Sequence, residues 1–159
     1  MIPFNFTARD GVELTGYITL PPTYRKGQKI PFIVHPHGGP NAKDSFGYRP
    51  EVQIYATRGY GVLQVNYRGS VGFGLEKMKL ANKQWSLAMH DDLLDALSWA
   101  TDRGFVDTDK VCISGASYGG YSAMVGITKN PDTFKCAVNY VGVVAVSYTH
   151  LTLPTRRGV

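Results

Sequence analysis

The sequence predicts an α/β fold, a mostly parallel sheet with helices on both faces. Two observations predict it. Short apolar runs alternate with helical patterns along the chain, and several of those runs are apolar at successive rather than alternate positions, as strands covered on both sides require. Composition agrees: 159 residues, 43% hydrophobic and 18% charged, suit one domain with its own core and exclude a disordered tail, a collagen and a disulfide-stapled miniprotein. The net charge of +5 is scattered rather than gathered in a basic stripe, so no nucleic-acid partner is expected. No apolar run approaches the ~20 residues that a membrane helix needs, so no membrane partner is expected either. Cys112 and Cys136 lie in apolar, strand-like runs and read as buried free thiols.

Taken in order, Pro3 to Leu20 reads as a hairpin. Phe4, Phe6 and Ala8 alternate with polar residues, Asp10-Gly11 supplies the turn, and Val12, Leu14, Gly16 and Ile18 continue the period of two. Pro21-Pro22 ends it, and Gly27-Gln28-Lys29 forms a solvated loop. Ile30 to His35 is an apolar strand stopped by Pro36-His37-Gly38-Gly39-Pro40. A helix follows from Pro50, a residue suited to a first turn, to Gly59, a residue suited to an end. Gly61 to Tyr67 is the next strand. Asp91 to Ala100 is a helix whose Leu93, Ala96, Leu97 and Ala100 recur at three-four spacing behind an acidic first turn. Lys110 to Ser114, Gly119 to Lys129 and Lys135 to Val141 complete the alternation as strand, helix and strand.

The strongest chemical signal is Gly115-Ala116-Ser117-Tyr118-Gly119, a G-x-S-x-G placed between the strand Val111-Cys112-Ile113 and a helix. A bare match recurs by chance. A strand before it and a helix after it hold the serine on a sharp, strained turn, with glycines where the two backbones approach. Ser117 is therefore the candidate nucleophile, and the helix N-terminus favours negative charge developing beside it. The second signal is His37-Gly38-Gly39-Pro40, directly after a strand. Glycine there lets a peptide plane turn its N–H inward. His35-x-His37 offers too few ligands for a metal, and neither cysteine has ligand spacing, so no metal site is expected. Gly69 to Gly74 is glycine-rich but lacks the order of a dinucleotide fingerprint and does not read as opening a helix, so no nucleotide or other cofactor is expected. Asn5-Phe6-Thr7 reads as a chance glycosylation sequon.

Four stretches together resemble the catalytic α/β-hydrolase domain of the prolyl oligopeptidase family of serine peptidases, within its acylaminoacyl-peptidase and dipeptidyl-peptidase branches. They are Ala8-Arg9-Asp10-Gly11, His37-Gly38-Gly39-Pro40, Asn66 to Gly74, and Gly115 to Tyr121. The resemblance implies an α/β-hydrolase fold, Ser117 as the nucleophile, the backbone N–H groups of Gly39 and Tyr118 as the oxyanion hole, and acyl transfer from a peptide substrate. The dipeptidyl branch often carries Tyr where His37 stands and Trp where Ala116 stands; this departure favours the acylaminoacyl type and leaves substrate choice open. A carboxylesterase on the same fold, and a non-catalytic remnant of it, are the alternatives.

The family's triad places Asp and His well downstream of Ser. The sole later carboxylate here is Asp132 and the sole later histidine is His150. The helix after Ser117 carries the chain away from the serine edge, so Asp132 is expected on the opposite edge of the sheet and in no catalytic role. From residue 144 the family pattern stops, and residues 144–159 resemble a translated sequencing-adapter read-through. The expected organisation is thus a C-terminally truncated hydrolase domain over residues 1–143 and a foreign tail over 144–159. The triad Asp and His and the family's N-terminal β-propeller are then absent, and the chain alone is expected to be inactive and poorly soluble. Compartment and oligomeric state are left open.

Overall fold

A computed structural model describes residues 1–144. The elements are β1 (Ile2–Thr7), β2 (Glu13–Thr19), β3 (Ile30–Val34), α1 (Pro50–Ala56), β4 (Gly61–Asn66), α2 (Leu75–Lys79), α3 (Ala88–Asp102), β5 (Val106–Ala116), α4 (Tyr118–Lys129) and β6 (Cys136–Tyr140). They form one six-stranded sheet in the order β1-β2-β4-β3-β5-β6. The β1–β2 and β2–β4 pairs are antiparallel; β3–β4, β3–β5 and β5–β6 are parallel. The tail expected over 144–159 lies, beyond Val144, outside the described residues.

The hairpin forms because its alternation buries one face. Phe4, Phe6, Leu14 and Ile18 are buried, and Gly11 at φ +88° closes the turn by donating to the Ala8 carbonyl. Gly16 is required opposite Phe4, because a Cβ there would sit 2.6 Å from the Phe4 ring. The parallel half of the sheet has two different covers. Phe32, Val34, Leu63, Val65, Val111 and Ile113 face α3, which contributes Met89, Leu93, Ala96, Leu97 and Ala100 to the main core. Each such fully buried Leu or Met contributes roughly 1.5–3 kcal/mol. The alternate positions Ile33 and Val62 are buried on the other face, where α1 supplies Val52 and Ala56. The Tyr55 hydroxyl of α1 reaches Ser114 Oγ of β5 at 2.8 Å, which fixes α1 on that side.

Several boundaries differ from expectation. α3 begins three residues early, at Ala88, since Met89 and His90 are buried as its first turn. β5 starts at Val106 and carries an irregularity: Ile30 pairs with Val106, but Phe32 pairs with Val111. Asp107 accepts from Asp109 N in the extra segment, a local turn that reads as loop in the sequence. The glycine-rich Gly69–Gly74 stretch does open a helix, the short α2, with Gly74 as its N-cap.

The reading of Cys112 and Cys136 as buried thiols is overturned. They are directly paired across β5 and β6, with Cα atoms 4.8 Å apart, and form a disulfide. Cys136 is exposed because β6 is the edge strand of the described sheet. The bond closes a loop with a sequence separation of 24, for which chain entropy gives about 3 kcal/mol. Urea denaturation with and without dithiothreitol checks this. Reduction is expected to lower stability by that amount, and Cys136→Ser to make the protein indifferent to reductant.

Candidate active site

Ser117 sits between β5 and α4 at φ 55°, ψ −119°, a conformation that a serine adopts only when its surroundings hold it there. The holding is visible. Its N–H donates to the Tyr140 carbonyl of β6 at 3.0 Å, and its carbonyl accepts from Tyr121 N at 3.0 Å. Glycines permit the crowding around it. A Cβ on Gly119 would lie 2.2 Å from the Pro36 carbonyl oxygen, one on Gly115 2.6 Å from the Gly119 backbone, and one on Gly120 2.5 Å from Asn139 Oδ1. The side chain of Ser117 is thereby left exposed at the C-terminal end of the strand.

The Gly38-Gly39 loop lies against this turn. A Cβ on Gly38 would be 3.1 Å from the Ala116 carbonyl oxygen and 3.5 Å from Ser117 Cβ. Gly39 takes φ +126° ahead of a cis bond to Pro40. Tyr118 is the first residue of α4, so its N–H is one of those with no acceptor inside the helix. The structure thus brings Ser117, the Gly38–Gly39 loop and the start of α4 together, as the sequence motifs suggest.

His37 is a member of the wall. Its ring stacks on Tyr67 at 4.4 Å, Nδ1 lies 2.7 Å from the Gly38 carbonyl and Nε2 lies 2.9 Å from Ser70 Oγ. The Tyr67 hydroxyl donates to the His37 carbonyl at 2.8 Å. Burial pushes the His37 pKa below the ordinary histidine value. The Ser70 hydroxyl donates its proton to the Tyr67 carbonyl at 2.7 Å, so it is the Ser70 oxygen, as acceptor, that faces His37 Nε2. Behind Ser117, Tyr118 packs on Tyr67 at 5.4 Å and on Trp85 at 4.8 Å, and Trp85 also meets Tyr121 at 5.3 Å. The residues missed in the sequence are these supports, Tyr67, Ser70 and Trp85. The first two fall inside the Asn66–Gly74 stretch that carried the resemblance, but nothing local shows which loop they hold.

No described histidine or carboxylate hydrogen-bonds the Ser117 hydroxyl. His90 Nε2 is engaged by Asn130 Oδ1 at 2.8 Å. His35 lines a cleft of about 570 Å³ beside the turn, together with Gly38, Asp44, Tyr55, Ala116 and Tyr140. Asp132 lies beside Thr108 and Val111, at the other end of β5, as the length of α4 demands. His150 lies outside the described residues. No cluster of metal-ligating side chains occurs among the described residues.

With this geometry in view, comparison with known proteins is informative. The sequence model of the prolyl oligopeptidase family matches residues 46–157. The chain belongs to the prolyl oligopeptidase family. Among relatives in this family, dipeptidyl aminopeptidase BIII of Pseudoxanthomonas mexicana is 41% identical over 96% of this chain and 23% of its own length. Dipeptidyl peptidase family member 6 of Caenorhabditis elegans is 38% identical over 89% of this chain and 22% of its own. Among solved structures, a puromycin-hydrolyzing peptidase of Mycobacterium tuberculosis superposes with a TM-score of 0.84 at 30% identity, covering 94% of this chain and 24% of that one. An acylaminoacyl peptidase of Pyrococcus horikoshii gives 0.81 at 29% identity, covering 89% and 23%. The chain therefore spans about a quarter of the length of these members, and its fold is the α/β-hydrolase type. Both branches appear among its relatives.

Burial lowers the pKa of His35, His37 and His90 alike. Well above about pH 6.5 each is neutral in both folded and unfolded chains and adds no pH dependence. Below it the unfolded chain takes up protons that the folded one resists, so stability falls. The melting temperature is expected to drop steadily from about pH 7 to 5, and more gently in His37→Gln, as thermal melts across that range would show.

Proposed function

We propose that this chain is the nucleophile-bearing part of a serine peptidase that works through an acyl-enzyme on peptide substrates. The observation that carries the reading is Ser117 at φ 55° between β5 and α4, with the Gly38–Gly39 loop packed against it. In this reading Ser117 Oγ attacks the substrate carbonyl, and the developing oxyanion accepts hydrogen bonds from the backbone N–H groups of Tyr118 and Gly39. The N-terminal end of α4 adds its partial positive charge at the same place. The general base takes the Ser117 proton and passes it to the leaving amine as the C–N bond breaks; water, deprotonated by the same base, then adds to the acyl group, which leaves as a carboxylate while Ser117 Oγ is reprotonated. In this reading the chain supplies part of the hydrolase domain, and the general base and its carboxylate partner belong to a longer peptidase carrying this domain. The names of the relatives, dipeptidyl and acylaminoacyl peptidases, support a peptide substrate.

A fluorophosphonate tests the nucleophile in such a longer peptidase. Ser117→Ala is expected to abolish covalent labelling and to lower turnover by roughly 10⁴-fold or more. Undiminished labelling of the alanine variant would end the reading. The 159-residue chain alone is expected to show neither peptidase nor esterase turnover, because no described base reaches Ser117; a steady-state assay of the purified chain checks it.

The oxyanion assignment has its own test. Gly39→Val introduces a Cβ 2.7 Å from Asn41 N at φ +126°, so the loop must shift. Losing one oxyanion donor costs about 3–4 kcal/mol of transition-state stabilisation. The variant is expected to lose kcat by that factor, and a valine variant with an unchanged kcat would contradict the assignment.

A further inference from the structure

Two arginine–aspartate systems lie side by side on α3, and only one of them reaches the loop beside Ser117. Arg9 of the hairpin turn binds Asp95, with Nε and Nη2 on Oδ1 at 2.9 and 2.7 Å, and sits 3.2 Å from Asp91. It is half-exposed, and its hydrogen-bond and ion-pair partners, Asp91 and Asp95, lie on α3. Arg68 is buried. Its backbone N–H and its Nε both donate to Asp92 Oδ2 at 2.9 Å, and Nη2 donates to Asp92 Oδ1 at 2.7 Å. Its remaining donors reach Asp10 at 2.6 and 3.0 Å. Asp92 has no exposed surface at all.

The residues on either side of Arg68 grip the 37–44 loop at four points. Asn66 donates to the Asp44 carbonyl at 3.1 Å and accepts from Asp44 N at 2.8 Å. The Gly69 carbonyl accepts from Asn41 Nδ2 at 3.2 Å. Ser70 Oγ meets His37 Nε2 at 2.9 Å, and Val71 N donates to the Ala42 carbonyl at 3.0 Å. Gly39 lies in the middle of the gripped segment. A buried ion pair is weak evidence for stability, since two charges must be stripped of water to form it. Its geometry is the informative part. A guanidinium held in two forks fixes the direction of the backbone that carries it, which a lysine's single charge does not.

We propose that Arg68 is a positioning residue for the reaction: clamped to Asp92 and Asp10, it fixes the 66–71 turn, and through that turn the place of the Gly39 N–H relative to Ser117. This rests on the reading of Ser117 as nucleophile and of Gly39 as oxyanion donor. Arg68 touches no substrate; it acts through Gly69, Ser70 and their partners in the loop.

The experiment compares Arg68→Lys, Arg68→Met and Arg9→Gln in the longer peptidase carrying this domain. Each variant is measured for kcat, KM, the fluorophosphonate labelling rate and melting temperature, with Ser117→Ala alongside. The Arg68 variants are expected to lose kcat and labelling rate together, by about 10²-fold for methionine and less for lysine, with KM changed by less than about threefold. Arg9→Gln is expected to lower the melting temperature and leave kcat as it was. Should Arg68→Met fail to fold, Arg68→Lys decides alone by the same kcat-against-KM split. The proposal is overturned if the Arg68 variants keep kcat, or if their losses are no larger than those of Arg9→Gln at equal melting temperature. Labelling of Ser117→Ala would overturn the nucleophile reading instead, so the two failures are told apart.

Discussion

Everything near the site depends on how closely two backbones pass at the turn from β5 into α4. Gly119 lies so near the Pro36 carbonyl that even a methyl group is excluded, and Gly115 and Gly120 are pressed in the same way by Gly119 and by Asn139. That contact joins three elements at one point: the end of β3, the turn after β5, and the end of β6. It also sets Ser117 in its left-handed conformation, because the chain has no room to round the corner by a gentler path. The strain is held by neighbours on all sides and by the Ser117–Tyr140 hydrogen bond, so it persists rather than relaxing.

Around this point the division of labour is physical. Burial against α3 holds the sheet, through the apolar cluster of Met89, Leu93, Ala96, Leu97 and Ala100. The loops above the strand ends are organised by polar contacts, which carry direction where apolar contacts do not. His37, Tyr67 and Ser70 form a closed set of hydrogen bonds and one ring stack. Buried polar groups are costly unless paired, so a buried hydrogen-bonded set of this kind favours the backbone arrangement that keeps its partners within reach.

What was legible in the sequence follows the same division. The hairpin, the strands and the helices α1, α3 and α4 show themselves through local periodicity, and Ser117 through glycines set between an apolar run and a helical one. The cross-strand partners of Cys112 and Arg68 are not local. Cys112 meets Cys136 only because of the β5–β6 register, and Arg68 meets Asp92 only because α3 packs over the end of β4. Short elements were lost for a related reason. The five residues of α2 carry no full period, and the Asp107–Asp109 irregularity has the composition of a loop while remaining part of a strand. In the site, residue types pointed to Ser117 as the candidate nucleophile, whereas the supports of its neighbouring loop became visible only with the packing of distant segments.

The aromatic array behind Ser117 has an optical consequence. The chain has two tryptophans. Trp99 is stacked on Phe4 at 4.2 Å and lies under the Arg103 guanidinium at 3.8 Å, on the outer side of α3 next to the hairpin. Trp85 instead packs edge-on against Tyr118, the residue that follows Ser117. Excitation of Tyr118 and Tyr121, whose rings lie 4.8 and 5.3 Å from that of Trp85, feeds Trp85 at contact range. The fold therefore carries a fluorophore packed on the first turn of the helix that follows Ser117, with the second tryptophan, beside the hairpin, as an internal reference.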